Sequence, residues 1–197
     1  MTTHTHDTTC RACGATADIG QSKCKYCKQP VLITTFNSVL SMPMPMVNQY
    51  ANTYREALQS EPDAKDLNTA VAFCFLKLKL YDKALASFEK AILDNFDNPE
   101  TYFYAAICLL GGKKAFLVPR DIIDKIEEYI NAAIMIETRG IFYYFHAYIK
   151  YDYFERKYLN TTPKYTELLT QANTFGVSEF DIGQLFGILG VEKPDVL

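Results

Sequence analysis

A mostly α-helical chain is predicted: a solenoid of antiparallel helix pairs behind a small N-terminal module rich in cysteine. Three observations predict it. Apolar residues recur at helical spacing from Met46 onward, with Val47, Tyr50, Tyr54, Ala57 and Leu58 on one face. Residue types return after 34 positions, the beat of a stacked helix-turn-helix unit. Four of the six cysteines fall within Cys10–Cys27. With 49% hydrophobic and 22% charged residues, the 197-residue chain has the composition of a folding core.

The expected division is a cysteine module with its N-terminal tail over 1–36, a linker over 37–45, a helical repeat domain over 46–190 and a C-terminal tail over 191–197. Pro43 and Pro45 argue for an extended linker. The opening MTTHTHDTT has neither a basic start nor an apolar stretch, and no run approaches the roughly 18 apolar residues that a bilayer span needs. The expectation is a soluble, cytoplasmic protein without membrane contact. His4 and His6 read as solvated tail residues.

Cys10-x2-Cys13 and Cys24-x2-Cys27 form two knuckles able to converge on one tetrahedral ion, because each C-x-x-C turn points both sulfurs the same way. The stretch resembles a short zinc ribbon, with Gly14 after the first knuckle, Gly20 in a turn, and VLITTF (31–36) read as a closing strand. Lys28 stands where the ribbon pattern often has Gly. The resemblance implies one structural Zn2+ on Cys10, Cys13, Cys24 and Cys27. Four thiolates would leave no coordination position for a reactive water. Disulfides or a redox C-x-x-C suit the spacing and the missing secretory signal less well. Residues 1–36 carry Arg11, Lys23, Lys25 and Lys28 against Asp7 and Asp18, an excess that a −2 zinc-thiolate cluster cancels. The remaining chain is acidic, opposite in sign to a nucleic-acid binder.

Tyr50, Tyr54 and Ala57 return 34 residues on as Ala84, Phe88 and Ala91. Asn68, Val71, Ala72 and Phe75 return as Tyr102, Ala105, Ala106 and Leu109. These residues resemble the tetratricopeptide repeat (TPR), and LNTAVAFCFLKLKLYDKALASFEKAI (67–92) is the best copy, with Tyr81 and Asp82 at its turn. Helices are expected over 46–62 (a half-repeat closed by Pro62), from an Asn98 cap and Pro99 to Gly111-Gly112, through Ile126, Ile130 and Ala133 after an insertion at 113–120, over 141–158, and over 163–173 with Tyr165, Leu169 and Ala172 at family spacing. A last helix opens with Ser178 and Asp181 as a capping box, carries Ile182, Leu185, Phe186 and Leu189 on one face, and ends at Gly190.

The TPR resemblance implies a groove for a peptide or partner protein, lined by Thr69, Phe73, Lys77, Phe103, Ile107, Tyr143, Lys150 and Tyr151. Thr69 and Phe73 stand where the repeats that clamp chaperone tails carry Lys or Asn, which argues against that role. The nine aromatics within 141–158 read either as an exposed interface or as a thick core, with base stacking a third option. His146 belongs to no nucleophile motif, Gly111-Gly112-Lys113-Lys114 is a helix stop and no phosphate loop, and Cys74 and Cys108 read as small core residues. The expected function is a non-catalytic protein-interaction adaptor. The alternatives are a nucleic-acid-associated factor acting through the ribbon, and a thiol-redox enzyme.

Overall fold

Helix ends follow local chemistry. Asn98 accepts hydrogen bonds from the backbone N–H groups of Glu100 (3.0 Å) and Thr101 (3.4 Å), and Pro99 opens the first turn, where its missing N–H costs nothing. Gly111 and Gly190 close their helices in the left-handed region, at φ 58° and 69°. Ser178 and Asp181 form the expected capping box.

The computed structural model describes residues 8–10, 12–17, 20–94 and 96–197, so His4 and His6 lie outside the described residues. The architecture is mostly helical: α1 Phe36–Leu40, α2 Met44–Ala57, α3 Lys65–Lys77, α4 Tyr81–Asp94, α5 Pro99–Leu110, α6 Arg120–Ile136, α7 Gly140–Ile149, α8 Tyr165–Thr174 and α9 Glu179–Leu189. Before them stands a two-residue antiparallel ladder, Thr8–Thr9 with Thr16–Ala17. No helix among the described residues is long and apolar enough to cross a membrane. Two compact units divide the chain, Met1–Asp94 and Asn95–Leu197.

In the first unit, α2 and α4 both pack on α3. Phe73 of α3 is fully buried between Phe36 (5.9 Å between ring centroids) and Phe88 (5.6 Å). Ala72, Ala84 and Ala91 are buried where the helices approach closely. The α3–α4 turn is made by Lys79, at φ 57°, and Tyr81 and Asp82 already belong to α4.

Three further local expectations fail in this unit. Residues 31–36 make no closing strand. Val31 and Ile33 are buried, Val31 N–H bonds to Ser22 O (2.9 Å), Ile33 N–H donates to the Tyr54 hydroxyl (3.0 Å), and that hydroxyl donates to Val31 O (2.6 Å). Burial pushes the Tyr54 phenol far above its ordinary range, which keeps it a donor. The 37–45 segment is no extended spacer either: α1 occupies its first half, Pro43 caps α2, and Pro45 sits in the first turn of α2, where a ring without N–H is tolerated. Helix α2 ends at Ala57, short of the expected 62.

In the second unit, α5 packs on α6 and α7 on α8, and α9 covers α7 and α5. Phe103 fits against Phe142 (4.8 Å) and Phe145 (5.6 Å), and Phe186 of α9 meets Tyr148 edge-on (5.4 Å). Helix α7 does not run regularly to 158. Lys150–Phe154 winds as a π-helix and Glu155–Lys157 as a 3-10 turn, ending at Tyr158 with φ 55°. The wider winding turns Lys150, Asp152, Tyr153 and Phe154 all inward. Asp152 accepts from Phe116 N–H (2.9 Å) and pairs with Arg156, which docks the backbone of the 113–120 insertion onto this segment. In α8, Leu168 and Ala172 are buried, with Leu169 only half-buried. The nine aromatics divide: Phe142, Tyr144, Phe145, Tyr148, Tyr153 and Phe154 are core, Tyr143 and Tyr151 are half-buried, and Tyr158 is 96% exposed.

Candidate metal centre and the expected groove

Each knuckle is a tight turn closed by its own backbone. Gly14 N–H bonds to Cys10 O (2.7 Å) and Cys10 N–H to Ala15 O (2.8 Å); Lys28 N–H bonds to Cys24 O (2.9 Å) and Cys24 N–H to Gln29 O (2.8 Å). The matching geometry puts Gly14 (φ 71°) and Lys28 (φ 63°) in the left-handed region at equivalent places. For a residue with a Cβ that conformation costs about 1–2 kcal/mol, against about 0.5–1 kcal/mol for the extra entropy glycine loses. Lys28→Gly is therefore expected to stabilise the metal-loaded protein by about 0.5–1 kcal/mol, read as a higher urea midpoint at unchanged slope. An unchanged or lower midpoint would contradict the strain.

The four Sγ atoms of Cys10, Cys13, Cys24 and Cys27 lie within 4.8 Å of one another, with Cys10 to Cys27 at 3.5 Å and Cys13 to Cys24 at 3.7 Å. They can hold one metal ion. A tetrahedral ion with sulfur ligands at about 2.3 Å needs S···S edges of about 3.8 Å, which the cluster approaches. Among the described residues, no other group of three or more His, Cys, Asp or Glu side chains converges in this way.

The N–H groups of Cys27 and Tyr26 hold the Cys24 thiol down at about 6, and those of Cys13 and Ala12 lower Cys10. Gln29 N–H pulls Cys27 down as well, but burial and the three neighbouring thiols push it up to about 12. Four crowded thiols resist full ionisation. A cation at their centre reverses that, so metal uptake releases protons.

The metal module is keyed to α2 through hydroxyls. Besides Tyr54, the Tyr50 hydroxyl donates to Gln21 O (3.1 Å), Thr53 Oγ1 to Ser22 Oγ (2.9 Å), and Lys23 Nζ pairs with Glu56 (2.8 Å).

The side chains expected to line a groove do not form an open trough. Phe73, Phe103 and Ile107 are core residues, and Thr69 is buried with its hydroxyl on Lys65 O (3.0 Å). Lys77 Nζ donates to Leu40 O (2.8 Å), so α1 covers the face of α3 that was to receive a partner. Lys150 is buried, paired with Glu127 and bonded to Thr161 Oγ1 (2.7 Å). Tyr143 stacks on Phe175 (5.3 Å) and Tyr151 meets Tyr165 (5.2 Å). The reason is shared: each aromatic found a ring inside its own unit, and the buried lysine found a carboxylate. Burial opposes ionisation of Glu127, yet hydrogen bonds from His146 (3.0 Å) and Lys150 hold its carboxyl below the ordinary range. Cys74 and Cys108 are buried core thiols, and burial pushes Cys74 up to about 12.

The first unit is open elsewhere. A cleft of about 600 Å³ is lined by α2 (Asn52, Arg55, Glu56), α3 (Asn68, Val71, Phe75) and α4 (Ser87, Lys90). Residues two apart on a helix point about 200° apart, so Val71 and Phe75 face away from the α1-covered side carrying Phe73 and Lys77. The readable signal was that AVAFCFL (70–76), two turns of α3, is apolar around its whole circumference, the mark of a helix segment flanked on both sides. Comparison of the chain with protein-family models, curated proteins and solved structures finds no match to any of them.

Proposed function

We propose that the protein is a non-catalytic adaptor that holds a peptide or protein segment, with a structural Zn2+ in a ribbon-like N-terminal module and TPR-like helix pairs behind it. The observation that carries this reading is the solvent-open cleft on α2, α3 and α4, whose volume lies within the range of ligand sites. Zn2+ is favoured by four soft thiolates at near-tetrahedral spacing. A closed thiolate shell leaves no place for a bound water and so disfavours metal-assisted hydrolysis. The 34-residue sequence period and the succession of packed helix pairs support the TPR-like description.

The test is selection from a displayed random-peptide library on the full-length, zinc-loaded protein. Enrichment of a shared sequence pattern is expected; a folded, metal-loaded chain that enriches none would overturn the reading. A second reading, nucleic-acid contact through the ribbon, is favoured by Tyr26, 67% exposed on the second knuckle with Lys25 Nζ 5.2 Å from its ring centroid. It requires binding of mixed RNA or DNA at about 50 mM salt that charge reversal of Lys23, Lys25 and Lys28 removes. A thiol-redox role requires that these four cysteines titrate in the native, metal-loaded protein.

A further inference from the structure

We infer that the α2–α3–α4 cleft receives an acidic peptide segment, its carboxylates paired with Arg55 and Lys90 and an apolar side chain set on Val71 and Phe75. The inference rests on the adaptor reading and names the partner of that site.

Three features of the cleft lead there. Its charged lining consists of Arg55 and Glu56 on α2 and Lys90 on α4. The carboxylate of Glu56 is engaged by Lys23 Nζ at 2.8 Å, a salt bridge reaching in from the metal module. Arg55 and Lys90 are exposed and have no ion-pair partner among the described residues. Among the described residues the one acidic group of the lining is thus neutralised from outside while neither cation is paired, and the lining carries positive charge within a chain of net −3.

Second, the α3 residues in the lining include Val71, which is buried, and Phe75, which is half-buried. An apolar floor between cationic walls suits a segment that alternates acidic with apolar side chains. A nucleic-acid strand would ask for a track of cations along its phosphates and stacking faces for its bases, and two cations over an aliphatic-aromatic floor supply neither. Third, the lining includes uncharged polar groups, Asn52 on α2 and Ser87 on α4, which can serve a peptide backbone as hydrogen-bond partners. The opposite face of α3 is closed by α1, so this side of the helix layer is the one left for a guest.

The experiment uses the full-length, zinc-loaded protein and fluorescence anisotropy with three labelled probes of equal length: a synthetic peptide alternating Glu with Ile, the same peptide with Gln for Glu, and a single-stranded RNA. The Glu peptide is expected to bind, to weaken as salt is raised, and to lose affinity about tenfold on either Arg55→Glu or Lys90→Glu, roughly 1.4 kcal/mol for each reversal. Phe75→Ser is expected to weaken it separately. Both charge reversals lie on exposed positions, and unchanged tyrosine near-ultraviolet circular dichroism confirms that the fold is kept. Equal affinity for the Gln peptide, indifference to both reversals, or preference for the RNA would overturn the inference. A library that enriches peptides whose binding neither reversal touches would leave the adaptor reading standing and take this cleft out of it.

Discussion

With the proposed ion held by the four thiols, stripping it with a strong chelator is expected to melt the outer layer of the first unit and not only the knuckles. The two-residue ladder of the module cannot hold it together, and a segment of about 36 residues buries too little apolar surface to stand alone. In model peptides such ions contribute on the order of 10–16 kcal/mol. The loss propagates because Tyr50, Thr53 and Tyr54 spend their hydroxyls on Gln21, Ser22 and the Val31–Ile33 backbone. Without that module, three polar groups on the buried face of α2 lose their partners, at about 1–3 kcal/mol each where they stay dry. Hydrogen exchange with and without chelator reads the effect: protection should fall across residues 20–42 and along α2 from Tyr50 to Ala57, where the contacts with the module lie, while α5–α9 stay unchanged. Cys24→Ser should abolish stoichiometric metal binding and reproduce the pattern. Unchanged protection of α2 would show that the helix does not depend on the thiol cluster.

The second large effect is expected at Gly140, the first residue of α7. A Cβ there would lie 2.5 Å from Val177 N, 2.6 Å from Ala172 O and 2.9 Å from Phe175 O. All three are backbone atoms at the α8–α9 corner, so no side-chain rotation relieves the clash. Overpacking against movable side chains costs about 1–3 kcal/mol, and Gly140→Ala should meet or exceed the top of that range. The better helix propensity of alanine, worth about 1 kcal/mol, runs the other way and is too small to compensate. Equilibrium urea unfolding checks it: a drop of at least about 3 kcal/mol is expected, whereas a stable Gly140→Ala protein would show that α7 can slide away from α8 without loss.

What was legible in the sequence was local. Asn98, Gly111, Ser178 with Asp181, and Gly190 act within one helical turn of themselves, so their roles follow from identity and spacing. The cysteine spacing was equally readable, because two C-x-x-C turns constrain where sulfur can go. What was not legible depended on distant segments. Phe73 and Lys77 have the spacing of a partner-binding face, but a five-residue helix that the two prolines seemed to forbid lies across them. Pro43 and Pro45 turned out to start a helix, since a proline in the first turn sacrifices no internal hydrogen bond. The π-winding at Lys150–Phe154 leaves no mark in a periodicity count, and neither does Glu127, which Lys150 reaches beside His146, four residues before it. Open surfaces are the remainder after every other contact has been made, and so they are the last thing a pattern reveals.

The Tyr54 hydroxyl answers both the carbonyl of Val31 and the amide of Ile33. An extended apolar stretch normally leaves such a pair as an invitation to a neighbouring chain, the route by which unpaired strands recruit one another into fibres. Here a single phenol from α2 occupies that docking row, and VLI is thereby sealed against recruitment for as long as the helix stays folded.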